Sequence, residues 1–143
     1  MEQTENKKMN FKTLAGIITG VVVMALVQQF FFKAPSFDKQ MMQVASELNK
    51  TCPVMVDAET RLDNTISLPD KIFTYNYTLI NQVKDSINVE ELKKYLTPLV
   101  TNNMKTNPVM KFYRDNKITM SYYYKDKQGV FLLNIDVTPD KYQ

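Results

Sequence analysis

The chain has 143 residues, with 18 Lys and Arg against 15 Asp and Glu, one cysteine and no histidine. No histidine and no second cysteine means no usual zinc ligand set, no internal disulfide and no imidazole base. From residue 34 onward 14 basic side chains are interspersed with 13 acidic ones, so the concentrated basic face that nucleic-acid binding needs is missing, and neither a cofactor nor a nucleic-acid partner is expected.

Residues 1–12 form a polar leader holding Lys7, Lys8 and Lys12, followed by twenty uncharged residues at 13–32. At about 1.5 Å rise per residue such a helix spans about 30 Å, the thickness of a hydrocarbon core. Leu14, Ile17, Ile18, Val21, Val22, Val23, Leu26 and Val27 are the expected anchor residues. Three lysines precede the segment while Lys33 and Lys39 follow it, which predicts a cytoplasmic N-terminus and an exported C-terminal domain. Gly16 and Gly20 form a G-x-x-x-G pair, the spacing that lets two membrane helices approach as a homodimer. The rival reading is a cleaved secretory signal, which would release a secreted small-ligand-binding domain. It lacks a polar stretch before any small-residue cleavage site.

Residues 33–36 are a linker, and 37–143 are expected to form one exported domain. Ser36 is placed to cap a helix in which Phe37, Met41, Val44 and Leu48 make one apolar stripe, ended by Pro53. Residues 59–68 predict a strand with Leu62, Ile66 and Leu68 in one phase, and Pro69-Asp70 predicts a turn. Phe73, Tyr75, Tyr77 and Leu79 alternate with Thr74, Asn76 and Thr78, a strand buried on one face. Asn88 and Glu91 predict a capped helix with Val89, Leu92, Leu96, Leu99 and Val100 facing the core, kinked or restarted at Pro98. A short helical or irregular stretch follows from Thr106, with Asp115-Asn116 turning the chain. The end predicts a hairpin through Gly129, with Ile118, Met120, Tyr122 and Tyr124 pointing inward, followed by Phe131, Leu133, Ile135 and Val137. Pro139 closes it. The predicted fold class is α+β: one four-stranded antiparallel sheet with helices on one face, in the order α-β-β-α-β-β.

The stretch Asn49-Lys50-Thr51-Cys52-Pro53, then Val56-Asp57, Thr60-Arg61-Leu62-Asp63 and Phe73-Thr74-Tyr75-Asn76-Tyr77, resembles a family of small bacterial membrane-anchored proteins without an assigned role. The ending, Tyr124-Lys125-Asp126 to Gly129 and Val137-Thr138-Pro139, is similar as well. The layout is also similar to the small α+β pilotin-type domains of type II secretion systems, which act by binding a partner in the cell envelope. Those proteins are lipidated and carry a disulfide, and this chain has neither signature. Neither resemblance brings catalytic residues.

Cys52 is the candidate special thiol, with a buried structural thiol as the plainer reading. Asp57, Glu59, Arg61 and Asp63 alternate along an expected strand edge, which leaves Arg61 either to pair with its acidic neighbours or to bind an anionic group of a partner; Arg61 and Asp63 are candidates for a partner surface together with Tyr123, the outward member of its tyrosine run. Acid–base catalysis would have to use Asp57, Asp63 or a tyrosine. The expected function is therefore a single-pass, membrane-anchored, non-catalytic binding or assembly module of the bacterial envelope, with a protein partner.

Overall fold

The computed structural model describes residues 36–143. Helix α1 (Phe37–Asn49) leads into a short strand β1 (Val54–Met55), then β2 (Thr60–Leu68) and β3 (Ile72–Leu79). A helical turn at Lys84–Ser86 precedes the long helix α2 (Val89–Thr106). After a turn at Pro108–Met110 come α3 (Lys111–Asp115), β4 (Thr119–Asp126), β5 (Phe131–Val137) and a last helical turn, α4 (Pro139–Tyr142). The strands form one sheet in the order β1-β2-β3-β4-β5.

That sheet corrects the expected four antiparallel strands in two ways. β1 adds a fifth strand, paired with β2 at Val54↔Leu62 and Met55↔Arg61. Strands β3 and β4 run parallel, because the connector between them is long enough to carry a helix across the sheet, which parallel pairing requires. All other pairs are antiparallel. Among the described residues no helix is long and apolar enough to cross a membrane. The expected anchor at 13–32, with Gly16 and Gly20, lies outside them.

The core lies between one sheet face and the helices. Met41, Val44 and Leu48 of α1 are buried there, as the stripe predicts; Ala45 is buried beside them, and Phe37 at the head of the stripe is half-buried. Ser36 stands at the N-cap of α1 without a side-chain capping bond. On the sheet side, the parallel register sets Tyr75 beside Tyr122 and Tyr77 beside Tyr124. Their rings stack at 5.9 and 5.2 Å between centroids. A parallel in-register pair places like side chains next to one another, so the alternating tyrosines of both strands become a single stacked block; such pairs are each worth about 0.5–1.5 kcal/mol beyond burial.

Two bulges reverse the expected phase. Asp63 is the extra residue of β2, between the pairs Leu62↔Tyr77 and Asn64↔Asn76. Beyond it Thr65 points into the core, while Ile66 and Leu68 are exposed on the outer face. Leu132 is the extra residue of β5; it is buried along with Leu133, and Phe131, expected inside, is exposed and packs on Tyr123 at 5.0 Å. A single inserted residue moves every side chain on one side of it to the opposite face.

The edge of β2 beyond β1 is covered by a side chain. Asn49 Nδ2 donates to the Thr65 carbonyl at 2.8 Å, and the Thr65 amide donates to Asn49 Oδ1 at 2.6 Å. This imitates one residue of a neighbouring strand and fixes the end of α1 against the sheet. Helix α2 continues through Pro98 as one helix, without the restart that was one of the two expectations there. Proline removes one amide donor, and the Thr97 hydroxyl donates to the Lys93 carbonyl at 2.7 Å one turn earlier.

Two buried hydroxyls give opposite expectations. The Tyr142 hydroxyl donates to the Ile118 carbonyl at 2.8 Å, whereas that of Tyr122 is buried without a partner among the described residues. In denaturant unfolding, Tyr142→Phe should lose about 1 kcal/mol and Tyr122→Phe should be neutral or gain about 1 kcal/mol, since an unmade buried bond is a penalty. Equal losses in both variants would contradict this assignment.

Candidate functional site

The second half of α2 is anchored by Met104, the helix's one fully buried residue, whereas its first half stands partly away from the sheet. Asn88 Oδ1 accepts the Glu91 amide at 3.1 Å, capping the helix as expected. Between this half-helix and the start of β2 lies an open groove of about 570 Å³. Leu79, Ile87, Leu92 and Leu96 form its floor, while Tyr95 and Leu99 on its lip are 66% and 50% exposed. Three carboxylates line it, Asp57, Glu59 and Glu91, and no Lys or Arg does.

The walls are held by backbone geometry. Asp57 Oδ1 accepts the amides of Glu59 and Thr60, both at 2.8 Å, which folds the turn that carries Glu59 to the rim. Opposite, Asp126 is fully buried. Its Oδ2 accepts the Lys84 amide at 2.9 Å, and its Oδ1 accepts the amides of Gln128 and Val130 at 2.8 and 2.9 Å. Burial works against that charge, but the amides of Lys84, Val130 and Gln128 outweigh it and hold the carboxyl below the usual value. The segment bearing Gln82 and Ile87 is thereby tied to the β4–β5 hairpin, and the Lys127 amide donates to the Gln82 carbonyl at 3.0 Å.

Arg61 and Asp63 meet elsewhere, on the sheet face that no helix covers; Tyr123 lies on the same face, beside Asn76 and against Phe131 rather than at that pair. Arg61 Nε meets Asp63 Oδ1 at 2.6 Å, Lys125 Nζ meets Asp63 Oδ2 at 3.0 Å, and the Thr78 hydroxyl donates to Asp63 Oδ2 at 2.6 Å. Desolvation opposes the Asp63 charge, yet the bonds from Thr78, Arg61 and Lys125 keep its pKa lowered. Asp63 is thus the bulge residue, spent on its own neighbours, and Asp57 and Glu59 lie in the turn before β2 rather than on the strand edge with it. Cys52 is half-buried, and its thiol lies 3.5 Å from the Leu48 carbonyl. Burial first, and the Asp63 charge second, push its pKa up, the reverse of an activated thiol. Burial also raises the tyrosines, Tyr75 and Tyr124 to about 12. Among the described residues no group of three His, Cys, Asp or Glu side chains is placed to hold a metal.

Sequence reasoning overlooked the groove, because Leu92, Leu96 and Leu99 read as an ordinary core stripe. The available signal was width: Tyr95 extends the stripe sideways, beyond what a core-facing helix needs. The exposed Ile66, Leu68 and Phe131 were equally hidden behind the two bulges.

The family described as "Domain of unknown function (DUF8479)" matches residues 36–133. No curated protein matches the chain significantly. Among solved structures, a Pseudomonas aeruginosa protein described as a candidate secreted protein is similar at TM-score 0.63 and 8% identity, over 77% of this chain and 100% of that one. The pilotin EpsS of the Vibrio vulnificus type 2 secretion system is similar at TM-score 0.57 and 14% identity, over 74% of this chain and 91% of its own. The type II secretion pilotin AspS of Vibrio cholerae follows at 0.55 and 10%, over 73% and 90%. At these identities the likeness is one of fold. It carries the resemblance to pilotin-type domains; the description of the matching family names no membrane anchor.

The lowered carboxyls fix the sign of the acid response. Asp63 and Asp126 titrate below their ordinary 3.8 when folded, so each contributes stability above that value and loses it as the pH falls through the folded pKa. The raised tyrosines act oppositely, and stability should fall as the pH rises from 10 towards 12. Melts across pH should show both slopes. Asp126→Asn, whose amide would face the Lys84 amide donor to donor, should melt lower at neutral pH and show a shallower acid slope; an unchanged acid slope would refute the role given to Asp126.

Proposed function

Because this chain belongs to the family described as "Domain of unknown function (DUF8479)", whose description assigns no activity, we propose its role from fold and groove together: a non-catalytic docking module of the bacterial envelope that holds a protein partner. The observation that carries this reading is the α2 groove, where Tyr95 and Leu99 remain exposed over an apolar floor. Soluble domains do not normally leave such side chains clustered around a concave site unless something binds there. The fold likeness to two pilotins of type II secretion supports an assembly role. The titratable groups support a non-catalytic one, since Cys52 and the core tyrosines are pushed away from ionisation and the buried carboxylates are committed to backbone amides or ion pairs.

Residues 13–32 would tether the module in the inner membrane as a single span, with residues 1–12 cytoplasmic and the domain outside. Support comes from the bilayer-length run of uncharged residues. Gly16 and Gly20 would let two such spans pair. A second reading, release after signal cleavage, draws on the Pseudomonas neighbour described as a candidate secreted protein; an intact mass of the mature protein separates the two.

The test is co-purification of the full chain from detergent-solubilised membranes. A companion protein should accompany the wild type and be lost from Tyr95→Ala/Leu99→Ala, while the double variant, altered only at exposed positions, should melt close to wild type. A wild type that purifies as a lone monomer, or a companion retained by the double variant, would refute the docking role of the groove.

A further inference from the structure

We infer that the groove takes an amphipathic helix whose apolar stripe is flanked by Lys or Arg, an inference that rests on the docking reading above. The shape comes first. Leu92, Tyr95, Leu96 and Leu99 follow one another at three, one and three residues, a helical stripe open along its length. From 92 to 99 the helix rises about 10 Å, the length of about two turns of a partner helix lying alongside.

The backbone around the groove argues for a helix over an extended peptide. The Thr60 carbonyl accepts the Val56 amide at 2.9 Å, the Glu59 carbonyl accepts the Ile80 amide at 2.9 Å, and the Gln82 carbonyl accepts the Lys127 amide. An extended peptide relies on main-chain bonds from its host, and these backbone groups are already used. A helix satisfies its own backbone and needs only side-chain packing, which the floor provides.

Charge then selects the partner. Asp57 and Glu59 stand on the sheet side and Glu91 on the helix side, all three exposed, and none is in an ion pair among the described residues. Lys93 and Lys94 fall on other sides of α2 at 100° per residue. Arg61 and Lys125 belong to the outer sheet face, where Asp63 pairs with both. A cationic flank on each side of the incoming stripe meets an unpaired carboxylate, and an anionic lipid surface meets repulsion. Exposed pairs are each weak, so three together amount to about tenfold in affinity, with strong salt dependence.

The probe is a synthetic helical peptide of Leu, Ala and Lys, about 18 residues long so that it holds a helix, compared with the same peptide carrying Glu for every Lys. Binding to the full chain in neutral detergent is read by fluorescence anisotropy. Wild type should prefer the Lys peptide by about tenfold, with the preference shrinking as salt rises. Glu59→Lys/Glu91→Lys, which spares the turn held by Asp57, should reverse the preference, and Tyr95→Ala/Leu99→Ala should abolish binding of the Lys peptide. Equal binding of the two peptides, both lost in Tyr95→Ala/Leu99→Ala, overturns the cationic partner while leaving the groove as a docking site. Binding untouched by Tyr95→Ala/Leu99→Ala overturns both readings. No binding of either peptide, an unchanged preference in the lysine variant, or self-association that disappears with Tyr95 and Leu99 also overturns the inference, the last by making the occupant a second copy.

Discussion

A carboxylate with no cationic partner among the described residues holds the functional end of this domain together. Asp126 closes β4, is fully buried, and receives backbone amides from two directions, Gln128 and Val130 in its own hairpin and Lys84 in the connector leaving β3. A buried charge is tolerable only when its lone pairs are filled, so the connector has one position in which the penalty is met. Everything downstream inherits that position: Gln82 on the groove wall, Ile87 on its floor, and Asn88, which starts α2. Remove the anion and the first half of α2 loses its reference point, while the second half would still be held by Met104.

The groove exists because α2 serves two surfaces at once. Val89, Leu92, Leu96 and Val100 pack partly against the core, yet the stripe is too wide for that contact alone, and its excess, Tyr95 and Leu99, turns towards solvent. The Asp57 turn occupies the opposite wall and leaves room between turn and helix. A helix seated as deeply as α1, with four buried residues in thirteen, would have closed the gap. The partial seating of α2 is paid for elsewhere, by the stacked tyrosines and the fully buried Phe73, Tyr113 and Ile118 in the middle of the core.

Local signals in the sequence were reliable where one residue type has one job. The Met41–Val44–Leu48 stripe, the Asn88 cap, the inward Phe73–Tyr75–Tyr77–Leu79 phase and the positive φ of Gly129 all stand as read. What failed was non-local. A strand buried on one face shows the same alternation in parallel and antiparallel pairing, so the tyrosine pattern could not report that β3 and β4 run together; only the length of the intervening connector carried that information. Asp63 reads as one more charged residue on a strand until Thr78, Arg61 and Lys125 are seen to converge on it, and those three come from separate positions in the sheet. β1 has two residues, too few for any periodicity to show. A helical stripe names the residues that face inward and does not say how deeply they are seated, which is why the groove needed the structure.

The two unusual surfaces differ in a way that decides between them. The outer sheet face exposes Ile66, Leu68 and Phe131, but its polar side chains are already bonded to one another: Asp63 is shared by Arg61 and Lys125, Asn76 donates to Asn64 at 2.7 Å, and the Ser121 hydroxyl bonds Asn134 at 3.0 Å. A partner there would have to break side-chain bonds in order to make its own, with little net gain. At the groove the carbonyls of Glu59, Thr60 and Gln82 are already bonded, while Asp57, Glu59 and Glu91 have no ion pair among the described residues, so a partner that brings apolar surface and positive charge breaks none of these bonds. Recognition should therefore concentrate where apolar side chains remain exposed and carboxylates remain without a cation.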